Sequence, residues 1–193
     1  LPERIAALKR WLEDELDFSE YTLNPASSDA SFRRYFRVTH EGVSYIVMDA
    51  PPEREDTRAF VTVDRLLFDV GLNVPEIIDE NPGEGYLLLG DLGSRLYLHE
   101  LSEDTVERLY GDALAALAAI QVCRPGDGVL PPYDRELLMK EMHLFRDWLV
   151  GTHLGMEFPE ADARMLSSTF ELLAENALAQ PQVVVHRDYH SRT

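Results

Sequence analysis

The hydrophobic positions of this chain follow two spacings, one typical of strands and one typical of helices. On either side of His40, Glu41 and Gly42, which favour a tight turn, apolar and polar side chains alternate as they do in a β-hairpin. Elsewhere the apolar residues recur with helical spacing and mark amphipathic helices. The elements predicted up to about residue 92 are helices over residues 2–17 and 57–70 and strands over residues 34–39, 43–48, 75–79 and 86–89.

From residue 93 onward the spacing is mainly helical. Ser102 and Asp134 suit helix N-caps, and Gly151 is expected to end the helix that Asp134 begins. The predicted elements are helices over residues 102–120, 134–149 and 159–179, followed by a short buried strand over residues 183–185. The sequence therefore predicts an α+β fold, with a β-rich domain over residues 1–92 and a mainly helical domain over residues 93–193.

Composition narrows the functional classes. The 193 residues include 18 Lys and Arg against 35 Asp and Glu, for a net charge of −17, and 45% of them are hydrophobic. Such a chain can bury a core, and its negative charge disfavours binding to nucleic acid. No apolar run approaches the length of about 20 residues that a membrane span needs. The lone Cys123 excludes a disulfide framework within the chain and a zinc site of several cysteines. We expect a cytoplasmic protein that binds neither nucleic acid nor membrane.

The most informative motif is His186-Arg187-Asp188, directly after the predicted strand 183–185. An apolar strand followed by these three residues is typical of a kinase catalytic loop, in which the aspartate accepts a hydrogen bond from the substrate hydroxyl. Five positions later such loops carry an asparagine that helps to hold Mg²⁺, and Thr193 stands there in this chain. Three residues are a short signal, and a surface loop after a strand stays open as an alternative.

Three further stretches, together with the residues around His186-Arg187-Asp188 and in the same order along the whole chain, make the sequence resemble the aminoglycoside phosphotransferase family, a relative of the protein kinases. The resemblance is strongest to the bacterial amino-sugar kinases of cell-wall recycling. It implies a bilobal protein-kinase-like fold, ATP and Mg²⁺, and phosphorylation of the anomeric hydroxyl of N-acetylmuramate or N-acetylglucosamine in peptidoglycan recycling. The three stretches are Ser27-Ser28-Asp29-Ala30-Ser31-Phe32-Arg33-Arg34-Tyr35-Phe36-Arg37, Val47-Met48-Asp49-Ala50-Pro51-Pro52 and Leu87-Leu88-Leu89-Gly90-Asp91-Leu92-Gly93, and the fourth is Val185-His186-Arg187-Asp188-Tyr189.

The resemblance assigns roles to the end of the chain. Asp188 is expected to be the catalytic base that orients the acceptor hydroxyl and receives its proton late in phosphoryl transfer. His186 is expected to brace the loop. Thr193 takes the position of a weak metal ligand, and the second metal-binding aspartate of the family would lie further on. We therefore expect this chain alone to be inactive as a kinase, with its helical domain cut inside the catalytic loop.

The nucleotide-binding residues are expected before residue 93. A loop of small residues, which differs from a Walker A loop, is predicted to cover the phosphates with backbone N–H groups and hydroxyls. The backbone of a hinge after the last strand is predicted to receive adenine. The loop consists of Ser27, Ser28, Asp29, Ala30 and Ser31, and the hinge of Leu89, Gly90, Asp91 and Leu92.

The third predicted strand lacks the lysine with which protein kinases bind the α- and β-phosphates. Arg33 or Arg34 is expected to neutralise phosphate instead, because the planar guanidinium group suits bidentate phosphate binding. Asp49 is expected to orient that arginine. The alternative is that these arginines belong to the solvated surface of a hairpin.

Two other functions stay open at this point. One is a related kinase of aminoglycosides, choline or homoserine, since a negative surface attracts cationic acceptors. The other is a non-catalytic nucleotide-binding module, which the missing lysine and Thr193 favour and Asp188 opposes. The partners expected in every case are a nucleotide and a small-molecule acceptor, and the sequence leaves the oligomeric state open.

Overall fold

A five-stranded antiparallel sheet organises the first half of the chain in the computed structural model, which describes residues 2–28 and 32–192. In the predicted hairpin, Arg34 lies opposite Asp49 and His40 opposite Val43, so the turn falls on Glu41 and Gly42 as expected. The strands are β1 (Thr22–Ser28), β2 (Arg34–His40), β3 (Val43–Asp49), β4 (Ile77–Asn81) and β5 (Tyr86–Gly90), in the order β1-β2-β3-β5-β4.

Strand β1 departs from the sequence prediction, which has a polar loop in this part of the chain. It is an edge strand paired with β2, and the register of the pair shifts between Pro25 and Ser27. A proline, which has no N–H, is tolerated at an edge because only one side of the strand needs ladder partners. Small polar residues have little intrinsic strand preference, so the pairing with β2 determines this strand.

Helix α1 (Pro2–Arg10) covers one face of the sheet and continues into a π-helical turn, Trp11–Glu15. The helix predicted over residues 2–17 is therefore confirmed, except that its last turn is wider. The Trp11 and Tyr86 ring centroids lie 5.5 Å apart. The buried cluster on this face consists of Leu8, Trp11, Leu12, Val38, Val47, Tyr86 and Leu88.

Helix α2 (Thr57–Asp69) covers the opposite face of the sheet. The Asp56 carboxylate caps it by accepting a hydrogen bond of 2.9 Å from the Arg58 backbone N–H. Val61 of α2 is buried against side chains that alternate along the strands with those of the first cluster, which places the two clusters on opposite faces. These side chains are Met48, Ala50, Leu87 and Leu89.

Gly85, in the turn between β4 and β5, allows the backbone to approach the end of β3. The Ala50 N–H donates a hydrogen bond of 2.8 Å to the Gly85 carbonyl. Gly85 has a φ of +75°, and a Cβ atom on it would lie 1.9 Å from the Ala50 carbonyl oxygen. Only glycine therefore fits this position, and the contact fixes the chain where it leaves β3.

The contacts of the chain divide it into two compact units. The first comprises residues up to Ala119 together with those from Asp188 onward, and the second comprises residues 120–187. The first unit thus continues past the domain boundary predicted between residues 92 and 93. A compact unit need not coincide with a lobe of the fold, so the domain boundary between residues 92 and 93 stays a prediction.

The helices after the sheet are α3 (Tyr97–Glu100), α4 (Val106–Val122), α5 (Arg135–Leu144), a π-helical segment (Phe145–His153) and α6 (Glu160–Leu178). In the second unit, Arg135 of α5 forms an ion pair with Glu171 of α6. Asp134 caps α5 as predicted, since its carboxylate accepts a 3.0 Å hydrogen bond from the Leu137 N–H. None of the described helices is both long enough and apolar enough to cross a bilayer.

Two details of the second half were predicted wrongly. The helical backbone passes through Gly151 to His153 as a π-helical segment, because a glycine inside a helix costs only about 1 kcal/mol and tertiary packing offsets it. Residues 183–185 are not a strand, and Val185 is 45% exposed. A strand exists only where a second strand pairs with it, and the described residues supply no partner for this run.

Asp64 is a buried acid on the same side of α2 as Val61. Its residue is only 9% exposed, and burial raises the pKa of its carboxyl group above the usual range. Because the pKa of Asp64 is higher in the folded protein than in the unfolded chain, protonation of this carboxyl group stabilises the fold. That stabilisation is complete at low pH and is lost as the pH rises through the pKa of the folded state. At neutral pH the ionised Asp64 therefore destabilises the fold.

We expect Asp64→Asn to raise the free energy of unfolding at pH 7 by about 1 kcal/mol, because the amide keeps the shape of the side chain without the buried charge. Urea unfolding at pH 7 and at pH 4 checks this, and the gain should shrink at pH 4, where the carboxyl group takes up its proton. Asp127→Asn at an exposed loop position is the control and should change neither value. A loss of stability at pH 7 would contradict the assignment.

Candidate active site

The end of β3 carries an ion cluster around a fully buried carboxylate. Asp49 is 0% exposed, and Arg34 of β2 binds its Oδ2 with both Nε, at 3.0 Å, and Nη2. Arg4 of α1 binds Oδ1 with Nε at 2.9 Å and Nη2 at 2.5 Å. Arg4 also lies 5.1 Å from the centre of the Tyr86 ring. Asp49 thus holds two arginines, one from the neighbouring strand and one from the N-terminal helix.

The position of this cluster distinguishes Arg33 from Arg34 as candidates for phosphate binding. Arg34 and Asp49 lie on the face of the sheet that α1 covers. In protein kinases the β3 lysine that binds phosphate also pairs with a glutamate of helix αC, so the phosphates lie on the face that this helix covers. The helix after β3 is α2, on the opposite face from Asp49.

Arg33 lies nearer to α2. Its Nε donates a hydrogen bond of 3.3 Å to Glu55, in the segment that leads into the helix. Hydrogen bonding to Tyr35 and Glu55 raises the pKa of Arg33 against the opposing effect of burial. The geometry therefore favours Arg33 over Arg34 as the group that neutralises phosphate, a role that stays a prediction.

The small-residue loop predicted to cover the phosphates lies between β1 and β2. Ser27 and Ser28 are the last residues of β1, and Asp29, Ala30 and Ser31 lie outside the described residues. Ser27 and Ser28 thus belong to a strand rather than to the predicted loop, and β1 and β2 precede and follow its other positions in the sequence. Its function stays a prediction.

The predicted hinge follows β5. Leu89 is buried in the sheet, whereas Leu92 is 57% exposed. The Gly90 N–H already donates to the Glu76 carbonyl at 2.8 Å, so backbone groups for a base would come from residues 91–92 rather than from that amide. Asp91 turns its side chain back toward β2 and β3, where Arg37 and Ser44 bind it.

The segment that carries Asp188 is anchored to α3 and α4. The Tyr189 hydroxyl donates a 2.6 Å hydrogen bond to the Ala113 carbonyl of α4. The Leu98 N–H of α3 donates to the Ser191 carbonyl at 3.0 Å. Asp188 is 79% exposed at its side chain, so a ligand hydroxyl can reach the carboxylate.

His190 is placed to orient Asp188. The Arg192 N–H donates to His190 Nδ1 at 3.0 Å, and His190 Nε2 lies 3.3 Å from Asp188 Oδ1. With Nδ1 acting as an acceptor, the neutral ring carries its proton on Nε2, which faces the carboxylate. The sequence analysis did not predict this role, although the histidine stands only two residues after the candidate base.

The residue before Asp188 has an unusual backbone. Arg187 has a φ of +71°, a left-handed conformation that is costly for a side chain other than glycine. Its guanidinium group binds Glu141 of α5, which also accepts a hydrogen bond from Tyr133. These two hydrogen bonds lower the pKa of Glu141. His186, the predicted brace, is exposed.

The described residues do not by themselves fit a magnesium site. Across residues 2–28 and 32–192, no three or more His, Cys, Asp or Glu side chains converge as they do around a metal ion. Thr193, the predicted weak ligand, lies outside the described residues. No chemical step at this site is derived through Mg²⁺, which stays an expectation from the resemblance.

Comparison with known proteins places the chain in a family. The sequence profile of the phosphotransferase enzyme family, APH, matches residues 22–192. The chain belongs to this family. The resemblance found in the motifs is thereby confirmed. The profile begins after α1, so Arg4 lies in an element that precedes the matched region.

Curated phosphotransferases are similar over almost the whole chain. The N-acetylmuramate/N-acetylglucosamine kinase of Pseudomonas putida is 42% identical over 98% of this chain and 58% of its own length. The proteins of the same name from Pseudomonas aeruginosa and Neisseria meningitidis are 46% and 36% identical, over 88% and 97% of this chain and 50% and 57% of their own lengths. The chain thus spans between about half and three fifths of the curated relatives it matches.

Solved structures confirm the predicted α+β, kinase-like fold. The streptomycin-ATP-APH(2")-IIa ternary complex gives a TM-score of 0.58 at 14% identity, over 90% of this chain and 59% of that one. Spectinomycin phosphotransferase APH(9)-Ia, in complex with ADP and spectinomycin, gives 0.58 at 12% identity, over 97% and 63%. At such identities the likeness concerns the fold alone.

Arg4 was missed because a long-range contact defines it. Its partner Asp49 is 45 positions away in the chain. One feature of the sequence could have revealed the buried role of Arg4. Arg4 stands four residues before Leu8 and eight before Leu12, and this helical spacing puts its charge on the apolar side of an amphipathic helix. A charge on the buried side of a helix calls for a buried partner.

We expect Arg4→Ala to lower the free energy of unfolding by about 2–3 kcal/mol, because it leaves the buried Asp49 with one arginine instead of two. Urea unfolding measures this. Arg10→Ala, an exposed position on the same helix, should stay within about 0.5 kcal/mol of the parent. Equal small effects for both variants would show that Asp49 does not depend on Arg4.

Substitution of Arg33 and of Arg34 should have different effects on ATP affinity and on stability. Arg33→Ala is expected to weaken ATP binding about tenfold or more with little loss of stability, since it removes a charge-assisted contact to phosphate. Arg34→Ala is expected mainly to lower stability, because it breaks the buried cluster at Asp49.

Titration calorimetry with ATP and urea unfolding measure the two effects, and Arg58→Ala, on the exposed side of α2, is the control. Unchanged ATP affinity in both variants would exclude phosphate binding by either arginine. A larger affinity loss for Arg34→Ala at unchanged stability would reverse the assignment.

Proposed function

We propose that this chain supplies the nucleotide-binding part and the catalytic loop of an ATP-dependent kinase. The kinase phosphorylates the anomeric hydroxyl of N-acetylmuramate or N-acetylglucosamine. The observation that carries the proposal is the 42% identity, over 98% of the chain, to the N-acetylmuramate/N-acetylglucosamine kinase of Pseudomonas putida. Because the chain spans 58% of that relative, the acceptor is proposed for the whole protein.

Asp188 acts as the general base in this proposal. The γ-phosphoryl group passes from ATP to the anomeric oxygen, ADP leaves, and the hydroxyl proton goes to the Asp188 carboxylate. In a loose transition state the proton moves late, so the main task of the carboxylate is to aim the oxygen at phosphorus. The side-chain exposure of 79% and the nearby His190 Nε2 suit that task.

The anchoring of the loop supports the same role. Tyr189 and Ser191 tie the residues after Asp188 to α4 and α3, so the segment that directly follows the carboxylate is held in place. Positioning of this kind supplies much of the rate enhancement of phosphoryl transfer.

The nucleotide in this proposal is ATP. Arg33 neutralises the phosphates, the loop of residues 27–31 covers them, and the backbone at residues 91–92 receives the base. The order of phosphate loop, hinge and catalytic loop along the chain supports this assignment. The protein acts in the cytoplasm on a small-molecule acceptor, without nucleic acid or membrane.

The proposal is tested in the full-length protein by comparing Asp188→Asn with the unsubstituted parent. We expect kcat to fall by about 10²–10⁴-fold while the Kd for ATP changes little, because the amide keeps the shape of the side chain but cannot take the proton. ADP release with N-acetylmuramate and with N-acetylglucosamine measures the rate. The product should lose its reducing end, since a phosphate on the anomeric oxygen blocks ring opening.

The exposed Asp127→Asn variant is the matched control and should keep full activity. Phosphorylation at another hydroxyl would leave a reducing sugar and contradict the anomeric assignment. Turnover with an aminoglycoside, choline or homoserine but not with either amino sugar would identify a different kinase of the family. ATP binding without turnover on any acceptor would identify a non-catalytic module.

A further inference from the structure

The Asp91 carboxylate, directly after β5, is the acceptor of four hydrogen bonds. Its side chain is 8% exposed. Arg37 Nε lies 2.6 Å from Oδ2 and Arg37 Nη2 lies 3.0 Å from Oδ1. The Ser44 hydroxyl donates to Oδ2 at 2.6 Å, and the Gly93 N–H donates to Oδ1 at 2.8 Å. We call Arg37, Ser44 and Asp91 the hinge clamp.

The hinge clamp connects three separate parts of the first unit. Arg37 lies on β2 and Ser44 on β3, while Asp91 and Gly93 belong to the segment that follows β5. Arg37 also donates to the Gly93 carbonyl at 3.3 Å. Side chains of two neighbouring strands therefore hold residues 91–93 where the regular sheet ladder has ended. This segment would otherwise have the conformational freedom of a loop.

The chemistry of the clamp assigns Asp91 to positioning rather than to ligand contact. The Arg37 guanidinium holds the pKa of Asp91 well below its usual range, against the opposing effect of burial. The carboxylate is therefore ionised at any pH near neutrality. Four donors at its two oxygens use the acceptor capacity that a ribose hydroxyl or a metal ion would need.

We propose that the hinge clamp fixes the backbone of residues 91–93 in the conformation that binds the nucleotide base, so that Arg37, Ser44 and Asp91 set base affinity without touching the nucleotide. This inference rests on the proposed nucleotide-binding function. It deepens that function by separating recognition of the base from recognition of the phosphates.

The physical reason is preorganisation. A backbone amide or carbonyl binds a base well only if its direction is fixed before binding. If the clamp is broken, the nucleotide must order residues 91–93 when it binds, and that entropy is subtracted from the affinity. The phosphates are recognised elsewhere, by the loop before β2 and by Arg33, so their binding should not depend on the clamp.

The experiment compares two competitors of a fluorescent ATP analogue in the full-length protein. One is ATP and the other is inorganic tripolyphosphate, which has the phosphates but no base. Asp91→Asn is expected to raise the Kd of ATP about tenfold, because it weakens two charge-assisted hydrogen bonds and frees the segment. The Kd of tripolyphosphate is expected to stay within about twofold of the parent value.

Ser44→Ala is the milder variant, in case Asp91→Asn does not fold. It removes one donor and should raise the Kd of ATP by a smaller factor, again without effect on tripolyphosphate. Arg95→Ala is the matched control. Arg95 forms an exposed pair with Glu100 a few residues after the clamp, and its side chain is 82% exposed. It should leave both dissociation constants unchanged.

The outcomes separate this inference from the proposed function. If the parent protein binds the ATP analogue and both clamp variants bind ATP as the parent does, the clamp inference is overturned. Equal weakening of ATP and tripolyphosphate also overturns it, because the clamp then supports the fold as a whole. If the parent binds no nucleotide, the proposed function itself fails.

Discussion

The buried carboxylate of Asp49 is the constraint on which the first unit depends. A charge that is 0% exposed is stable only with well-placed partners, and Arg34 and Arg4 supply them. Arg34 comes from the neighbouring strand, whereas Arg4 comes from a helix far earlier in the chain. One carboxylate therefore helps to fix both the register of β2 against β3 and the position of α1 on the sheet. Arg4 also lies over the Tyr86 ring.

A second carboxylate repeats the principle at another corner of the sheet. Asp91 binds Arg37 and Ser44 as Asp49 binds its arginines, and both acids stand at or just after the end of a strand. Strand ends are where backbone ladders stop, so side chains must hold the chain that follows. The predicted phosphate loop and the predicted hinge follow the ends of β1 and β5, and Asp188 lies in a segment without regular secondary structure. The side chains of Arg37 and Ser44 hold the hinge, whereas the Tyr189 hydroxyl and the Ser191 carbonyl hold the segment after Asp188.

Local patterns were sufficient for most elements. The hairpin at residues 34–48, helix α2 and the Asp134 cap of α5 follow from alternation, helical spacing and cap chemistry, which act over a few neighbouring residues. No strand was predicted at β1, because its local strand preference is weak and pairing with β2 overrides it. A strand was wrongly predicted over residues 183–185, since an apolar run becomes a strand only where another strand is available to pair with it. The motif around Asp188 and the three other stretches together identified the family, because each stretch consists of adjacent residues.

The family, the order of the predicted phosphate loop, hinge and catalytic loop, and the candidate base Asp188 could be inferred from residues that are adjacent in the sequence. Most partners of the charged residues could not be inferred in this way. In the folded chain Asp49 pairs with Arg4 as well as Arg34, Arg33 rather than Arg34 lies toward α2, and the Asp91 carboxylate binds Arg37 and Ser44. The physical reason is the sequence distance over which each interaction acts. Secondary structure and motifs depend on neighbours in the sequence, whereas the ion pairs of a charged side chain depend on partners that folding brings from distant parts of the chain.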